Sequence, residues 1–222
     1  MEKEQIFAQL DFTMLRPGTS LQQVMAGAQT ALDYGAAAFC LAPAYVERVH
    51  AQYPQLKLAT VVGFPLGYNT TAVKAYEAAQ ALSLGAAEID MVINLDDVKS
   101  RRMHRVLAEI SALRKVCEQA VLKVIVETCS LTQEEKRELA GIVEAAGADY
   151  IKTSTGFGAA GAQLEDVRLF HELLDGRVKI KAAGGIRTLA QMQDFLAAGA
   201  ERIGSSADLA ALAAEETAGQ QS

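Results

Sequence analysis

Residues 147–154, GADYIKTS, contain a pattern that recurs along the chain: a Gly-Ala pair followed by a short apolar run. The same pattern begins at Gly35, Gly85 and Gly199, so successive glycines stand 50, 62 and 52 residues apart. Each glycine follows a segment with helical periodicity, where a residue at positive φ ends a helix at low cost. Each apolar run is typical of a β-strand. The spacing is about twice the ~25–30 residues of one βα unit, which predicts a further strand between successive repeats.

Strand-like runs are present at these intermediate places, at residues 58–64, 122–128 and 178–185, and a weaker one lies at 10–15. Together with the four runs after the Gly-Ala pairs, they give eight strands that alternate with helical segments. The helices are predicted near residues 21–34, 43–53, 71–84, 97–118, 132–146, 163–175, 188–198 and 207–215. Thr132 and Thr188 are the predicted N-caps of two of them.

The ends of the predicted strands favour a closed (β/α)8 TIM barrel. Six strands end in a residue with a polar or titratable side chain: Asp11, Cys40, Asp90, Glu127, Lys152 and Lys181. Polar groups from many strands can meet only where the carboxyl ends share one mouth, as in a barrel. The alternative is a doubly wound open sheet, which would bind its ligand near one switch point. We expect one domain over residues 1–222, with a short N-terminal helix before the barrel.

Composition and charge exclude several classes of protein. Half of the 222 residues are hydrophobic, which is enough for a sizeable core, and the net charge of −6 argues against a nucleic-acid partner. No apolar run approaches the ~18–20 residues that span a bilayer, and the N-terminal residues do not resemble a signal peptide. Three separated cysteines without a CxxC pair fit a reducing cytoplasm. The three histidines share no metal-ligand spacing, so no metal site is expected.

Two lysines inside strands are the strongest candidates for chemistry. Lys152 lies in YIKTSTG and Lys181 in VKIKAAGG, and both have apolar neighbours. A strand lysine is often only ion-paired or extended toward solvent, but two on successive barrel strands favour a function. Burial and a neighbouring positive charge both lower the pKa of a lysine, and a neutral amine can attack a carbonyl to form a Schiff base. Lys179 has the same strand parity as Lys181, and we expect it to pair with a carboxylate deeper in the barrel.

Asp90 lies in the apolar run EIDMVIN, where a carboxylate needs a partner. It is either a counter-ion for a barrel lysine or a group that transfers protons and orients substrate, and one residue can do both. Asp11 and Glu127 are open to the same two interpretations with weaker context.

Glycines after strands seven and eight point to a phosphorylated ligand. Gly184 and Gly185 end the seventh strand, and Gly204 and Ser206 lie at the end of the eighth. Loops at these two positions often bind phosphate through backbone N–H groups in barrels, although a tight turn would look similar. Gly156, after strand six, can add another N–H.

Several of these strings closely resemble the deoxyribose-phosphate aldolase family. They are LDFTMLRP at 10–17, TVVGFPLG at 60–67, EIDMVIN at 88–94, YIKTSTGF at 150–157 and KIKAAGGIRT at 179–188. The resemblance covers about residues 10–209. It implies a class I aldolase on a (β/α)8 barrel that splits 2-deoxy-D-ribose 5-phosphate reversibly into acetaldehyde and D-glyceraldehyde 3-phosphate, with no cofactor.

The resemblance also implies a role for each matching residue. Lys152 matches the Schiff-base lysine, Lys181 the second lysine whose charge keeps it neutral, and Asp90 the aspartate of proton transfer. The expected substrate-binding residues are Asp11, Cys40, Gly156, Gly184, Gly185, Gly204 and Ser206. As partners we expect a phosphorylated sugar, neither nucleic acid nor a membrane, and a homodimer as the candidate assembly.

Three other functions stay open from the sequence. A related Schiff-base aldolase would act on another phosphorylated aldehyde or ketose. A degenerate barrel would bind a sugar phosphate without turnover, although mere binding needs no neutral amine. A pyridoxal-phosphate enzyme would hold its cofactor on Lys152 and would be yellow.

Overall fold

The computed structural model describes residues 1–215, so the last part of the predicted 1–222 domain lies outside the described residues. Eight parallel strands close into a barrel in the order of the sequence, and β8 pairs with β1. This confirms the predicted (β/α)8 fold and rules out the open sheet. The strands are β1 Leu10–Met14, β2 Ala38–Leu41, β3 Leu58–Val62, β4 Glu88–Val92, β5 Val121–Ile125, β6 Tyr150–Lys152, β7 Lys179–Ala183 and β8 Arg202–Ser205.

Helices precede β1 and follow each strand. The short N-terminal helix is present as α1, Lys3–Phe7. The others are α2 Leu21–Asp33, α3 Val46–Gln52, α4 Thr71–Ser83, α5 Leu95–Lys99, α6 Met103–Val116, α7 Gln133–Ala145, α8 Leu164–Leu174, α9 Leu189–Ala197 and α10 Leu209–Ala214. Thr132 and Thr188 cap α7 and α9 as predicted, each by accepting a backbone N–H of the first turn. Through residue 215, no helix combines the length and the apolar character that a membrane span requires.

The prediction of one helix over residues 97–118 is wrong, because two helices occupy this region. The first, α5, begins earlier, where the Asn94 side chain accepts the N–H groups of Asp96 and Asp97. It ends at Lys99, and Arg101, whose φ of 57° is left-handed, prevents the helix from continuing into α6. The Asp97 carboxylate then receives Arg102 Nε at 2.8 Å, which fixes the turn into α6. The predicted helix at 43–53 likewise starts as a 3₁₀ turn at Pro43–Tyr45.

The barrel interior is divided between an apolar side and a charged side. Ala38, Cys40, Ala59 and Val61 form a small buried cluster on β2 and β3, separate from the main core between strands and helices. The interior positions of β1 and of β4 to β7 carry charged side chains that are fully or almost fully buried, and Arg202 on β8 is partly buried beside them. Because buried charges must be paired, these side chains are expected to form ion pairs with one another, and they are the groups available for chemistry inside the barrel.

Candidate active site

Seven charged side chains meet inside the barrel, and we call them the ion network. They are Asp11, Glu88, Asp90, Lys123, Lys152, Lys181 and Arg202. They come from six strands, and the parallel register places them near one another: Asp90 lies beside Lys123, and Lys152 lies beside Lys181. The sequence prediction that the two lysines and Asp90 lie together is therefore confirmed.

Asp90 is the centre of the network and is fully buried. Its Oδ2 accepts Lys152 Nζ at 2.8 Å and Lys181 Nζ at 2.7 Å. Its Oδ1 accepts Lys123 Nζ at 2.7 Å. Burial alone would raise the pKa of Asp90, but the neighbouring lysines, Lys123 first, outweigh it and hold the pKa well below the usual range. Asp90 is therefore an ionised carboxylate shared by three amines.

A second group of carboxylates lies beside Asp90. Asp11 receives Lys181 Nζ on one oxygen and Arg202 Nη1 at 2.6 Å on the other. Glu88 receives Lys123 Nζ at 2.6 Å and Arg202 Nη1 at 3.3 Å. Burial opposes the charge of Asp11, but Lys123 and the other cations lower its pKa below the usual range. The lowered pKa values of Asp11 and Asp90 keep both carboxylates ionised at neutral pH.

The charges in this network do not balance if every group is ionised, because four cations face three carboxylates. Of the four cations, Lys152 has the fewest carboxylate partners, so its protonated form is the least stabilised. Within the described residues it pairs only with Asp90, whereas Lys181 pairs with two carboxylates and Lys123 with three. Loss of one proton from Lys152 would balance the charges.

The pKa shifts of the three lysines follow this pattern. Burial lowers the pKa of Lys152, and the positive charge of Lys181 lowers it further, against the opposing effect of Asp90. Burial also disfavours the charge of Lys181, but Asp11 and Asp90 outweigh it and raise its pKa. The pKa of Lys123 is raised well above the usual value, because Asp11, Asp90 and Glu88 together overcome its burial. Of the three lysines, only Lys152 has a lowered pKa, and it therefore loses its proton most easily.

The prediction that Lys179 pairs with a carboxylate deeper in the barrel is wrong. Lys179 is exposed at the start of β7, and its Nζ lies 5.7 Å from the centre of the Tyr150 ring. Lys123 occupies the deep position, and Arg202 pairs there with Asp11 and Glu88. The sequence analysis identified neither cation. Lys123 stands between Leu122 and Val124 in an apolar strand, which is the same signal that identified Lys152.

A cavity of about 330 Å³ opens above the network, near the lower end of the size range of small-molecule sites. Lys152 is the only network residue that lines it, although only 3% of the residue is exposed. Five predicted positions also line it: Gly156, Gly184, Gly185, Gly204 and Ser206. Lys152 and the predicted phosphate loops therefore share one cavity.

The loops after β6 and β7 approach each other closely at two glycines. A Cβ on Gly161 would lie 2.1 Å from the Gly184 carbonyl oxygen, and Gly184 itself has a φ of 91°. Neither position tolerates a side chain without movement of the backbone. The Thr153 hydroxyl joins the same two loops, because it donates to the Ala183 carbonyl at 3.2 Å and accepts the Ala183 N–H at 3.2 Å.

Backbone N–H groups at the cavity are available to a ligand. Those of Gly156, Gly184, Gly185 and Ser206 donate to no acceptor within residues 1–215. Ser205 is committed elsewhere, since its hydroxyl donates to the Ile186 carbonyl at 2.6 Å. A set of free N–H groups at one concave surface binds an anion well.

Two arginines that the sequence analysis did not consider also line the cavity. Arg16 follows β1, and Arg187 follows the glycines after β7. Both are exposed at the mouth. A guanidinium beside free N–H groups matches the charge and geometry of a phosphate. The sequence carried a signal for both, because Arg187 stands two residues after Gly185 and Arg16 directly follows the predicted strand at 10–15.

Besides Asp90 and Lys181, three residues singled out in the sequence lie off the cavity surface. Asp11 and Cys40 are fully buried below it and do not line it, so a direct contact with substrate stays a prediction for both. Burial raises the pKa of the Cys40 thiol, although Lys181 opposes the shift. Glu127 lies just beyond β5 and is no part of the ion network; its carboxylate instead accepts the Thr155 hydroxyl.

Through residue 215, no three His, Cys, Asp or Glu side chains are grouped in a way that could hold a metal ion. His50, His104 and His171 lie on α3, α6 and α8, and all three are exposed. The described site offers an amine, a carboxylate and a set of backbone N–H groups that no acceptor occupies within residues 1–215.

Comparison with known proteins gives consistent relatives. The family model of DeoC/LacD family aldolases matches residues 4–214. A deoxyribose-phosphate aldolase of Clostridium botulinum (strain Eklund 17B / Type B) is 45% identical over 220 residues, which cover 99% of this chain and 100% of that protein. The deoxyribose-phosphate aldolase of Thermus thermophilus is 47% identical over 210 residues, 94% of this chain and 96% of that protein. A tetrameric deoxyribose phosphate aldolase structure from Aeropyrum pernix has 32% identity and a TM-score of 0.87, and covers 92% of this chain and 88% of that one.

The ion network predicts that two strand lysines, Lys123 on β5 and Lys179 on β7, contribute very differently to the free energy of unfolding. Lys123→Met removes the cation that three buried carboxylates share, so we expect a loss of about 3–5 kcal/mol in the free energy of unfolding. Lys179→Met removes an exposed cation over a tyrosine ring and should cost less than about 1 kcal/mol. Urea denaturation of both variants measures this. Equal losses would contradict the role of Lys123 as the cation that three buried carboxylates share.

Proposed function

This chain belongs to the DeoC/LacD aldolase family, and we propose that Lys152 is the Schiff-base lysine of its reaction. The chain is an aldehyde-lyase, a deoxyribose-phosphate aldolase that converts 2-deoxy-D-ribose 5-phosphate to acetaldehyde and D-glyceraldehyde 3-phosphate reversibly. One observation carries the assignment of the lysine. Lys152 is the only member of the ion network that lines the cavity, and among the three lysines of the network it is the one whose pKa is lowered.

In the first step the neutral Lys152 amine attacks C1 of the open-chain aldehyde. The carbinolamine that forms loses water and becomes an iminium ion. The positive charge then lies beside Asp90, whose carboxylate oxygen is 2.8 Å from Lys152 Nζ in the free protein. An ionised carboxylate at this place stabilises the iminium and helps transfer protons during dehydration.

In the second step the C2–C3 bond breaks. A proton leaves the C3 hydroxyl, the C3 carbon becomes the aldehyde of glyceraldehyde 3-phosphate, and the electron pair of the bond moves to the iminium to give an enamine. We assign the proton transfer to Asp90 acting through a water. Protonation of the enamine at C2 and hydrolysis release acetaldehyde, return the water lost earlier and regenerate Lys152.

Lys181 has a supporting role in this scheme. It is held as a cation by Asp11 and Asp90, and its Nζ shares an oxygen of Asp90 with Lys152. Its fixed positive charge keeps the neighbouring amine neutral without reaching the cavity itself. Lys181 thus sets the protonation state of the nucleophile and leaves substrate contact to Lys152.

The phosphate of the substrate is assigned to the far end of the cavity. The free N–H groups of Gly156, Gly184, Gly185 and Ser206 line this region, and Arg187 lies beside them. The substrate is then held at one end by its charge and at the other by the covalent bond. This arrangement favours a phosphorylated aldehyde over a neutral sugar.

We also infer a homodimer in the cytoplasm. The Aeropyrum pernix relative is tetrameric. Four large side chains between residues 66 and 76 are exposed in this chain, namely Leu66, Tyr68, Val73 and Tyr76, and they offer an apolar surface to a second copy. Light scattering of the purified chain should give twice the monomer mass, and a monomer would exclude the dimer.

The cytoplasmic location is inferred from the cysteines. Cys40, Cys117 and Cys129 are all free thiols, which fits a reducing compartment.

Chemical trapping tests the assignment of Lys152. Borohydride reduction in the presence of acetaldehyde should add an ethyl group to Lys152, which peptide mass mapping locates. Lys152→Ala should lose cleavage by several orders of magnitude, because the covalent path is gone. Lys179→Ala provides the control and should keep nearly all activity. Ethylation found only on Lys181 would show that the roles of the two lysines are reversed.

The phosphate assignment predicts a selective effect at Arg187. Arg187→Gln removes a cation from the cavity mouth and should raise KM for 2-deoxyribose 5-phosphate by roughly 10-fold or more, as the loss of one hydrogen bond to a charged group does. KM for unphosphorylated 2-deoxyribose should stay within about twofold. The exposed Arg168 on α8 gives a matched control, Arg168→Gln, with no change for either substrate. An equal effect on both substrates would place the phosphate elsewhere.

A further inference from the structure

Glu127 is a buried carboxylate in a strained backbone conformation, and the reaction described above does not use it. It follows β5 with a φ of 54°, and only 5% of the residue is exposed. A residue other than glycine in the left-handed region costs free energy unless its surroundings determine it. Glycine or asparagine would adopt this φ more easily. A glutamate at this position indicates that the contacts of its side chain offset the strain.

The carboxylate of Glu127 binds the turn that follows β6. Thr155 donates its hydroxyl to Glu127 Oε2, and the Thr155 N–H lies 3.4 Å from both carboxylate oxygens. The Thr155 oxygen in turn accepts the Phe157 N–H at 3.0 Å. The two hydrogen bonds form a directed chain from Phe157 through Thr155 to Glu127. Because the acceptor at its end is charged, this chain is stronger than one between neutral groups.

The turn held in this way forms one wall of the cavity. Thr155, Gly156 and Phe157 all line it. The next residue packs directly on the carboxylate, since a Cβ on Gly158 would lie 3.1 Å from Glu127 Cδ. The Phe157 ring contacts Phe64 edge to face, with the ring centres 5.3 Å apart. The position of the free Gly156 N–H therefore depends on what anchors Thr155.

We propose that Glu127 is a positioning residue that fixes the Thr155–Phe157 turn, and so sets the strength with which the cavity binds the phosphate end of its substrate. This proposal rests on the function proposed above, because it takes the phosphate to lie against Gly156. Glu127 contacts neither Lys152 nor Asp90 within hydrogen-bond distance. Its effect should therefore appear in substrate affinity and leave imine chemistry unaltered.

Four variants separate the side chain of Glu127 from its backbone conformation. Glu127→Asn keeps a residue that tolerates the left-handed region but is too short to reach Thr155. Glu127→Gln keeps the length and loses the charge. Thr155→Val removes the hydroxyl at nearly constant volume, and Thr155→Ser restores it. Glu77→Gln is the matched control, because Glu77 also binds a loop N–H after a strand, that of Gly63 at 2.8 Å, away from the lining of this cavity.

The expected result is a rise in KM for 2-deoxyribose 5-phosphate of roughly 10-fold in Glu127→Asn and Thr155→Val, with kcat within about threefold. Glu127→Gln should give a smaller rise, and Thr155→Ser should be close to the unmodified chain. The double variant Glu127→Asn/Thr155→Val should be no worse than either single one, because both break the same chain of hydrogen bonds. Glu77→Gln should leave KM unchanged.

Measurements without turnover keep the two proposals apart. Borohydride trapping of acetaldehyde should proceed in the Glu127 variants at a rate within about twofold of the unmodified chain, and calorimetry should show weaker binding of inorganic phosphate. Amide hydrogen exchange at residues 156–158 should become faster. No trapping in the unmodified chain would contradict the role of Lys152 and leave the calorimetry and exchange results to decide on Glu127. An unchanged affinity for phosphate, or additive effects in the double variant, would overturn the proposal for Glu127.

Discussion

The surplus of one positive charge in the barrel interior is the constraint on which the site depends. Three carboxylates and four cations are enclosed there with almost no access to water. Buried charges are stable only when they are paired, so the network is most stable with three cations. The amine with the fewest carboxylate partners gives up its proton most easily, and that amine is Lys152. It is also the one placed at the cavity. Charge balance and access thus select the same residue.

This constraint explains the division of the barrel into parts. The interior of β2 and β3 is apolar and holds Cys40 among small side chains, so no further charge enters the network from that side. Arg202 and Lys123 pair with the deep carboxylates Asp11 and Glu88. Lys123 also binds one oxygen of Asp90, and the other oxygen accepts both Lys152 and Lys181. Within residues 1–215, the loops above carry no acidic side chain on the cavity lining and offer backbone N–H groups and arginines instead. The proposed nucleophile is therefore held by the ion network, and the proposed phosphate site is formed by the loops.

Much of this arrangement is visible in the sequence, because the strand repeats and the buried lysines are local patterns. The closed barrel and the meeting of Lys152, Lys181 and Asp90 follow from strand order and parity. The prediction that Lys179 lies deep in the barrel is wrong because strand parity shows only which face of the sheet a side chain is on. It does not show how far the barrel interior extends along the strand, and Lys179 lies at the exposed edge. The break between α5 and α6 depends on the Asn94 cap and on the left-handed Arg101, which periodicity does not register. The ion pairs of Lys123 and the hold of Glu127 on Thr155 join distant segments, so only the folded chain shows them.

The pKa of Lys152 tests the central claim most directly, and the pH dependence of the rate of borohydride trapping with acetaldehyde reports it. Only the neutral amine reacts, so the trapping rate should rise with pH to a midpoint well below that of an ordinary lysine. Lys181→Met leaves three cations for three carboxylates, so Lys152 should then hold its proton more tightly and the midpoint should move to higher pH. Circular dichroism confirms that the variant is folded, and Lys179→Met should leave the midpoint in place. A midpoint that does not move in Lys181→Met would contradict the account, because charge balance would then not control the nucleophile.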